Sequence, residues 1–223
     1  MSDRSTTRDR ILDASRRLFN EKGFKATTLA EIAGSVGIAQ GNLTYHFPTK
    51  RDLTTALEKQ VRQIVRNERA QARSGCVADD YVELLILAMN HAWEHRFLLR
   101  DYAQFTNNPD ALRQDPGMAA DLDELHALLV RMKKEGLFRR DHEVDLRVLS
   151  RSLWIVSRYW MDHLRELEGL DQVSWADQER GVLHHFAVLM PCLTASAKRD
   201  LKAAVLRVAS RLAIEAAETN PPG

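Results

Sequence analysis

The sequence predicts an all-α protein: a small three-helix head carrying a helix-turn-helix, followed by a larger helical body. Three observations predict it. Glycine and proline are scarce, 10 and 6 in 223 residues, in a chain rich in Ala, Leu, Arg and Glu, which is the composition of helices. Apolar residues recur at three- and four-residue spacing along nearly the whole chain. Finally, Thr6 with Asp9, Thr28 with Glu31 and Thr49 with Asp52 each set a hydroxyl three residues before a carboxylate, the reciprocal pairing that opens a helix.

The first helix starts at Thr6 and runs to about Glu21, with Ile11, Leu12, Ser15, Leu18 and Phe19 on its inner stripe. Gly23 ends it, and Phe24 fills the gap between helices. Thr28 opens the second helix, whose apolar face is Leu29, Ile32 and Ala33. Gly37 takes the positive φ of a tight turn. The third helix spans about Gln40 to Phe47 and turns Leu43 and Phe47 inward, four residues apart; Pro48 stops it. A fourth, from Lys50 to about Arg73, carries Leu53, Leu57, Val61 and Ile64 on one face and joins head to body.

The body reads as helices over Asp80–Glu94, Arg96–Phe105, Met118–Lys134, Val144–Leu167, Ser174–Met190 and Ala197–Ala217. Asn107-Asn108-Pro109, Gly136, Gly169 and Pro191 separate them, and Leu137–Asp141 is a loop. Ser74-Gly75 is the clearest break in composition. The domains are therefore residues 1–50, the helix 50–73 as linker, and 74–223.

The third helix is where the chemistry is legible. Its outer faces carry Gln40, Asn42, Thr44, Tyr45 and His46, all hydrogen-bonding groups with few carboxylates nearby. Amides of Gln and Asn match the paired donors and acceptors that base edges present in a DNA major groove.

The stretch from Thr6 to Leu57 also resembles the TetR family of bacterial transcriptional regulators. The matching residues are Arg10-Ile11-Leu12-Asp13-Ala14, Phe19, Gly23-Phe24, Thr27-Thr28, Ile32-Ala33, Gly37, Gly41-Asn42-Leu43, Tyr45-His46-Phe47 and Lys50. Two positions depart from the pattern. Ala39 stands where the family usually caps the recognition helix with Ser or Thr, a loss of roughly 0.5–2 kcal/mol. Thr44 stands where the family usually has Tyr. The resemblance implies base reading by Gln40, Gly41, Asn42 and Thr44, with Gly41 letting the helix start approach the groove closely. It implies phosphate contacts by Thr27, Thr28, Tyr45, His46 and Lys50, with Thr28 also serving as a helix cap. Arg4, Arg8 and Arg10 read equally as further phosphate contacts or as solvated charges.

The resemblance further implies a homodimeric repressor on a double-stranded DNA operator, released by a small-molecule effector. Val144–Leu167 and Ser174–Met190 are the best match to the dimer helices, with Ala197–Ala217 as an alternative or additional contributor. Two recognition helices would then stand about 34–36 Å apart in successive major grooves. The other reading is a helical DNA-binding or protein-interaction module with no small ligand.

Charge distribution agrees with a DNA-binding head. Residues 1–73 hold 14 Lys and Arg against 8 Asp and Glu, and the remainder holds 18 against 23, so a basic third precedes a mildly acidic body. No apolar run reaches the length of a membrane span, and the polar N-terminal stretch is not that of a secretory signal. Cys76 and Cys192 lack ligand-like spacing, as expected of reduced thiols in a bacterial cytoplasmic protein. No phosphate loop, dinucleotide fingerprint or nucleophile paired with a base is present, so neither an enzyme nor a resident cofactor is expected.

Two further groups remain. Trp93, Tyr102, Phe105, Trp154 and Tyr159 are candidates for an effector pocket, against the plainer reading of aromatic core. His91, Glu94 and His95 spell H-x-x-E-H, the pattern of inverted zinc peptidases. With nothing else peptidase-like in the chain, the pattern alone assigns no metal, and a pocket or interface histidine is the expected role.

Overall fold

A computed structural model of the chain describes residues 6–71, 75–101, 104, 116–170 and 173–219. It is all-α. The helices are α1 (Thr7–Lys22), α2 (Leu29–Val36), α3 (Gln40–His46), α4 (Lys50–Gln71) and α5 (Val77–Glu94). They continue with α6 (Arg96–Arg100), α7 (Pro116–Lys134), α8 (Leu146–Glu166), α9 (Trp175–Leu189) and α10 (Ala195–Thr219), with a 3₁₀ turn at Met190–Cys192. Within the expected loop after Gly136, Phe138 makes a single antiparallel bridge to Leu193. The break at Asn107-Asn108-Pro109, together with Arg4, Tyr102 and Phe105, lies outside the described residues.

The chain divides into two units, residues 1–71 with 91–115 and residues 72–90 with 116–223. One boundary falls between residues 71 and 72, three residues before Ser74-Gly75, and a second falls inside α5, between Asn90 and His91. The physical reason is a clasp built by Asn20, a buried polar residue at the end of α1. Its amide donates to the Glu94 carbonyl at 2.7 Å and accepts from the Phe97 N–H at 3.1 Å. Arg100 donates to the Phe19 carbonyl at 2.6 Å, and the Asp101 carboxylate accepts from the Phe24 N–H at 2.9 Å. Asn20 and Asp101 are polar and buried, so the clasp meets hydrogen-bonding capacity that burial would otherwise leave unsatisfied.

The core of the first unit is apolar and continuous. Ile11, Phe19, Ile32, Leu43 and Leu53 are wholly buried. The Phe19 ring sits 5.7 Å from Phe24 and 5.3 Å from Phe97, within the range of favourable tilted aromatic pairs. Along α4, Leu53 and Leu57 are buried whereas Ile64 is exposed, so only the start of that helix belongs to the head's core.

In the second unit Tyr81 and Val82 of α5, Leu129 and Met132 of α7, Leu153 of α8 and Leu201 of α10 form one cluster. Helices α8 and α9 approach so closely at Gly181 that a Cβ there would lie 2.6 Å from the Trp160 ring. The Trp160 indole N–H then reaches the Asp177 carbonyl at 2.8 Å. Asp177 also completes a capping box with Ser174.

Candidate nucleic-acid interface

Helix α2 is set by its ends. The Thr28 hydroxyl accepts from the Glu31 N–H at 3.2 Å, and the Glu31 carboxylate accepts from the Thr28 N–H at 2.9 Å. Past its C-terminus Gly37 adopts φ 74 and ψ 36. The Ile38 N–H bonds the Ala33 carbonyl and the Gly37 N–H bonds the Gly34 carbonyl, a complete Schellman ending. The Arg10 guanidinium adds a bond to the Val36 carbonyl at 2.6 Å. The turn between α2 and α3 is thus determined by backbone chemistry that Gly37 alone makes unstrained.

Helix α3 is anchored from one side. Leu43 and Phe47 are buried, and Ala39 provides no side-chain cap, as the sequence implies. On the other side Gln40, Gly41, Asn42 and Tyr45 are exposed, Tyr45 by 84%. A Cβ added at Gly41 meets no heavy atom within 4 Å, so the backbone there faces open space. Thr44 is half-buried and returns its hydroxyl to the Gly41 and Gln40 carbonyls at 3.1 and 3.2 Å. Its methyl group, not its hydroxyl, is therefore the part left to meet a base. His46 is half-buried, edge-on to Tyr45 at 5.4 Å.

Two residues expected at phosphate are engaged inside the head. Thr27 is fully buried and donates to the Gly23 carbonyl at 2.8 Å. Lys50 donates to the Phe24 and Thr27 carbonyls at 2.7 Å each and lies 4.6 Å from the Phe24 ring centre. Burial from water pulls its pKa down. Nothing in residue type distinguishes such an ammonium from a solvated one; the signal is its spacing from the Phe24–Thr27 turn, which only the fold closes. Arg8 likewise lies over the Phe47 ring, 5.1 Å from its centre.

Thr28 stays exposed, but a carboxylate shares its helix start. A hydrogen bond from Lys22, then those from Thr28, hold Glu31 down to about 2. Lys22 neutralises it at 2.9 Å, so a phosphate at this point meets an ion pair instead of a bare N-terminus.

The pocket candidates are not gathered on one element. Trp93 falls in the first unit, half-buried, with the Arg96 guanidinium 4.5 Å from its ring centre. Trp154 and Tyr159 fall in the second. Trp154 packs against the core, and Tyr159, edge-on to it at 6.2 Å, is 49% exposed on α8.

Comparison with known proteins bears on the whole chain. A family model described as bacterial regulatory proteins, tetR family, matches residues 11–57. A second, described as TetR, bacterial transcriptional repressor, matches residues 54–201. The HTH-type transcriptional repressor KstR2 of Mycolicibacterium smegmatis is 27% identical over 183 residues, 71% of this chain and 82% of that protein. A TetR-family regulator from Marinobacter aquaeolei VT8 superposes with a TM-score of 0.67 at 23% identity, over 89% of this chain and 97% of that one. A gamma-butyrolactone receptor superposes with a TM-score of 0.61 at 19% identity, over 92% and 97%. The two superpositions establish a shared fold.

Proposed function

The chain belongs to the TetR family of bacterial helix-turn-helix transcriptional regulators, and from that premise we propose a homodimeric repressor that releases its operator when a small molecule binds the body. The observation that carries the DNA half is the outer face of α3. Gln40, Gly41 and Asn42 are exposed beside an open Tyr45, while Ile32, Ala33, Val36, Leu43 and Phe47 pack inward. Gln40 and Asn42 read base edges, Gly41 brings the backbone close, and the Thr44 methyl group adds an apolar contact. Thr28, Tyr45 and His46 bear on the flanking phosphates.

Dimerisation is supported by α8. Val148, Ile155 and Tyr159 lie seven and four residues apart and are 62, 48 and 49% exposed, and Leu183 of α9 is 69% exposed. Such a stripe of apolar groups in water is the usual mark of a surface that another subunit covers. A two-fold dimer repeats α3 on a near-palindromic operator.

Effector control is supported by the fold. A gamma-butyrolactone receptor shares it, so a body of this architecture can carry a ligand. Release follows if the effector binds the DNA-free arrangement more tightly than the bound one. Among the described residues no helix is long and apolar enough to cross a membrane, which accords with action on cytoplasmic DNA.

The test is selection of binding sites from random duplex DNA at a stated salt concentration. A recurrent near-palindrome is the expected result; no enrichment would overturn the reading. On the selected site Gln40→Ala or Asn42→Ala should cost roughly 1–3 kcal/mol and relax preference at one base pair. Equal weakening on random DNA would remove both from base reading.

A further inference from the structure

His91 and Glu94 lie in the last turn of α5 and His95 follows directly after it, at spacings of three and four residues from His91. One potential ligand atom from each falls within 4.8 Å of the other two. His95 is only 7% exposed, and its Nδ1 is buried without a hydrogen-bond partner. A buried ring nitrogen left unsatisfied is costly, and it needs an explanation that packing does not supply.

We infer that His91, Glu94 and His95 form a binding site for one divalent transition-metal ion of the zinc class. Two imidazoles and a carboxylate are a borderline donor set, suited to Zn²⁺, Co²⁺ or Ni²⁺ and poorly suited to Mg²⁺ or Ca²⁺. Ligand atoms around a tetrahedral zinc stand about 3.4 Å apart, given bonds of roughly 2.0–2.1 Å. The cluster therefore needs to close by at most about 1.4 Å, and Glu94, which is exposed, is the least confined of the three.

The surroundings fit an ion. Asn20 holds the backbone on both sides of His95, at Glu94 and Phe97, so the donors stand on a segment already clasped to α1. Three protein ligands leave a fourth position for water. The site is independent of how the operator is read.

The test uses the full chain without a purification tag, titrated with Co²⁺ and then with Zn²⁺. One equivalent of Co²⁺ should develop the intense visible absorption of a low-coordinate site, and one equivalent of Zn²⁺ should bleach it. Glu94→Gln and His91→Ala, confirmed as folded by circular dichroism, should each weaken binding by at least the roughly 10–100-fold that loss of an outer-shell partner costs. The inference is overturned if Co²⁺ keeps its weak aquo spectrum. It is equally overturned if both folded variants titrate like the parent chain, since the metal would then sit on other histidines.

Discussion

Gly41 separates folding from recognition at the scale of one residue. A methyl group there meets nothing within 4 Å, and alanine favours a helix over glycine by about 0.8–1.0 kcal/mol. Gly41→Ala should therefore hold or raise the melting temperature while weakening operator binding, because the added carbon keeps the backbone from the groove. A variant that melts and binds like the parent would take Gly41 out of the interface. Lys50 makes the opposite case. Its ammonium ties two carbonyls of the turn before α2, and hydrogen bonds to a charged group are worth about 1.5–3 kcal/mol. Lys50→Met should lower the stability of the head by about 2 kcal/mol and leave the salt dependence of DNA binding unaltered. A slope reduced by about 1, at unchanged stability, would return Lys50 to phosphate.

At the scale of elements, the body is tied by a buried polar chain. His185 of α9 meets the Tyr81 hydroxyl of α5 at 2.6 Å through Nε2 and the Ser157 hydroxyl of α8 at 2.9 Å through Nδ1. Burial pushes His185 down to about 4, whereas an unfolded histidine titrates near 6.5. As pH falls between those values the unfolded chain takes up a proton that the folded one refuses. Stability is complete above about pH 6.5 and declines toward pH 4, by something on the order of 3 kcal/mol. Urea unfolding at pH 7.5 and 5 should register the decline, and His185→Gln should flatten it. His95, also pushed down to about 4, chiefly by burial, leaves a residual slope. A decline of equal size in His185→Gln would detach it from this histidine.

For the whole molecule, the exposed stripe of Val148, Ile155 and Tyr159 is the surface on which the proposed dimer is tested. A charge in its middle would be buried unpaired twice in a two-fold interface. Ile155→Glu should shift the protein from dimer to monomer in sedimentation, with helix content unchanged. Operator affinity should fall by orders of magnitude as the two heads cease to bind as one unit. A dimer that survives Ile155→Glu would move the interface elsewhere. The basic residues of the first 73 positions keep their general attraction to DNA in either state.

Helix identity, the position of the turn and the outward face of α3 were determined by the sequence alone. All of them rest on interactions between residues a few positions apart. Thr6, Thr28, Thr49 and Ser174 cap their own helices, Gly37 needs only its own φ, and the Leu43–Phe47 spacing states which side faces inward. What the tertiary structure decided involves partners far along the chain. The Asn20 clasp, 74 and 77 residues from its partners, moves the end of α5 into the head's unit. The Phe24 and Thr27 carbonyls engage Lys50 from more than 20 positions away. Tyr159 goes to an exposed face of α8, and a histidine pattern that carries little by itself becomes a half-buried set of converging donors. Desolvation and orientation separate these cases, and both depend on neighbours that local spacing does not specify.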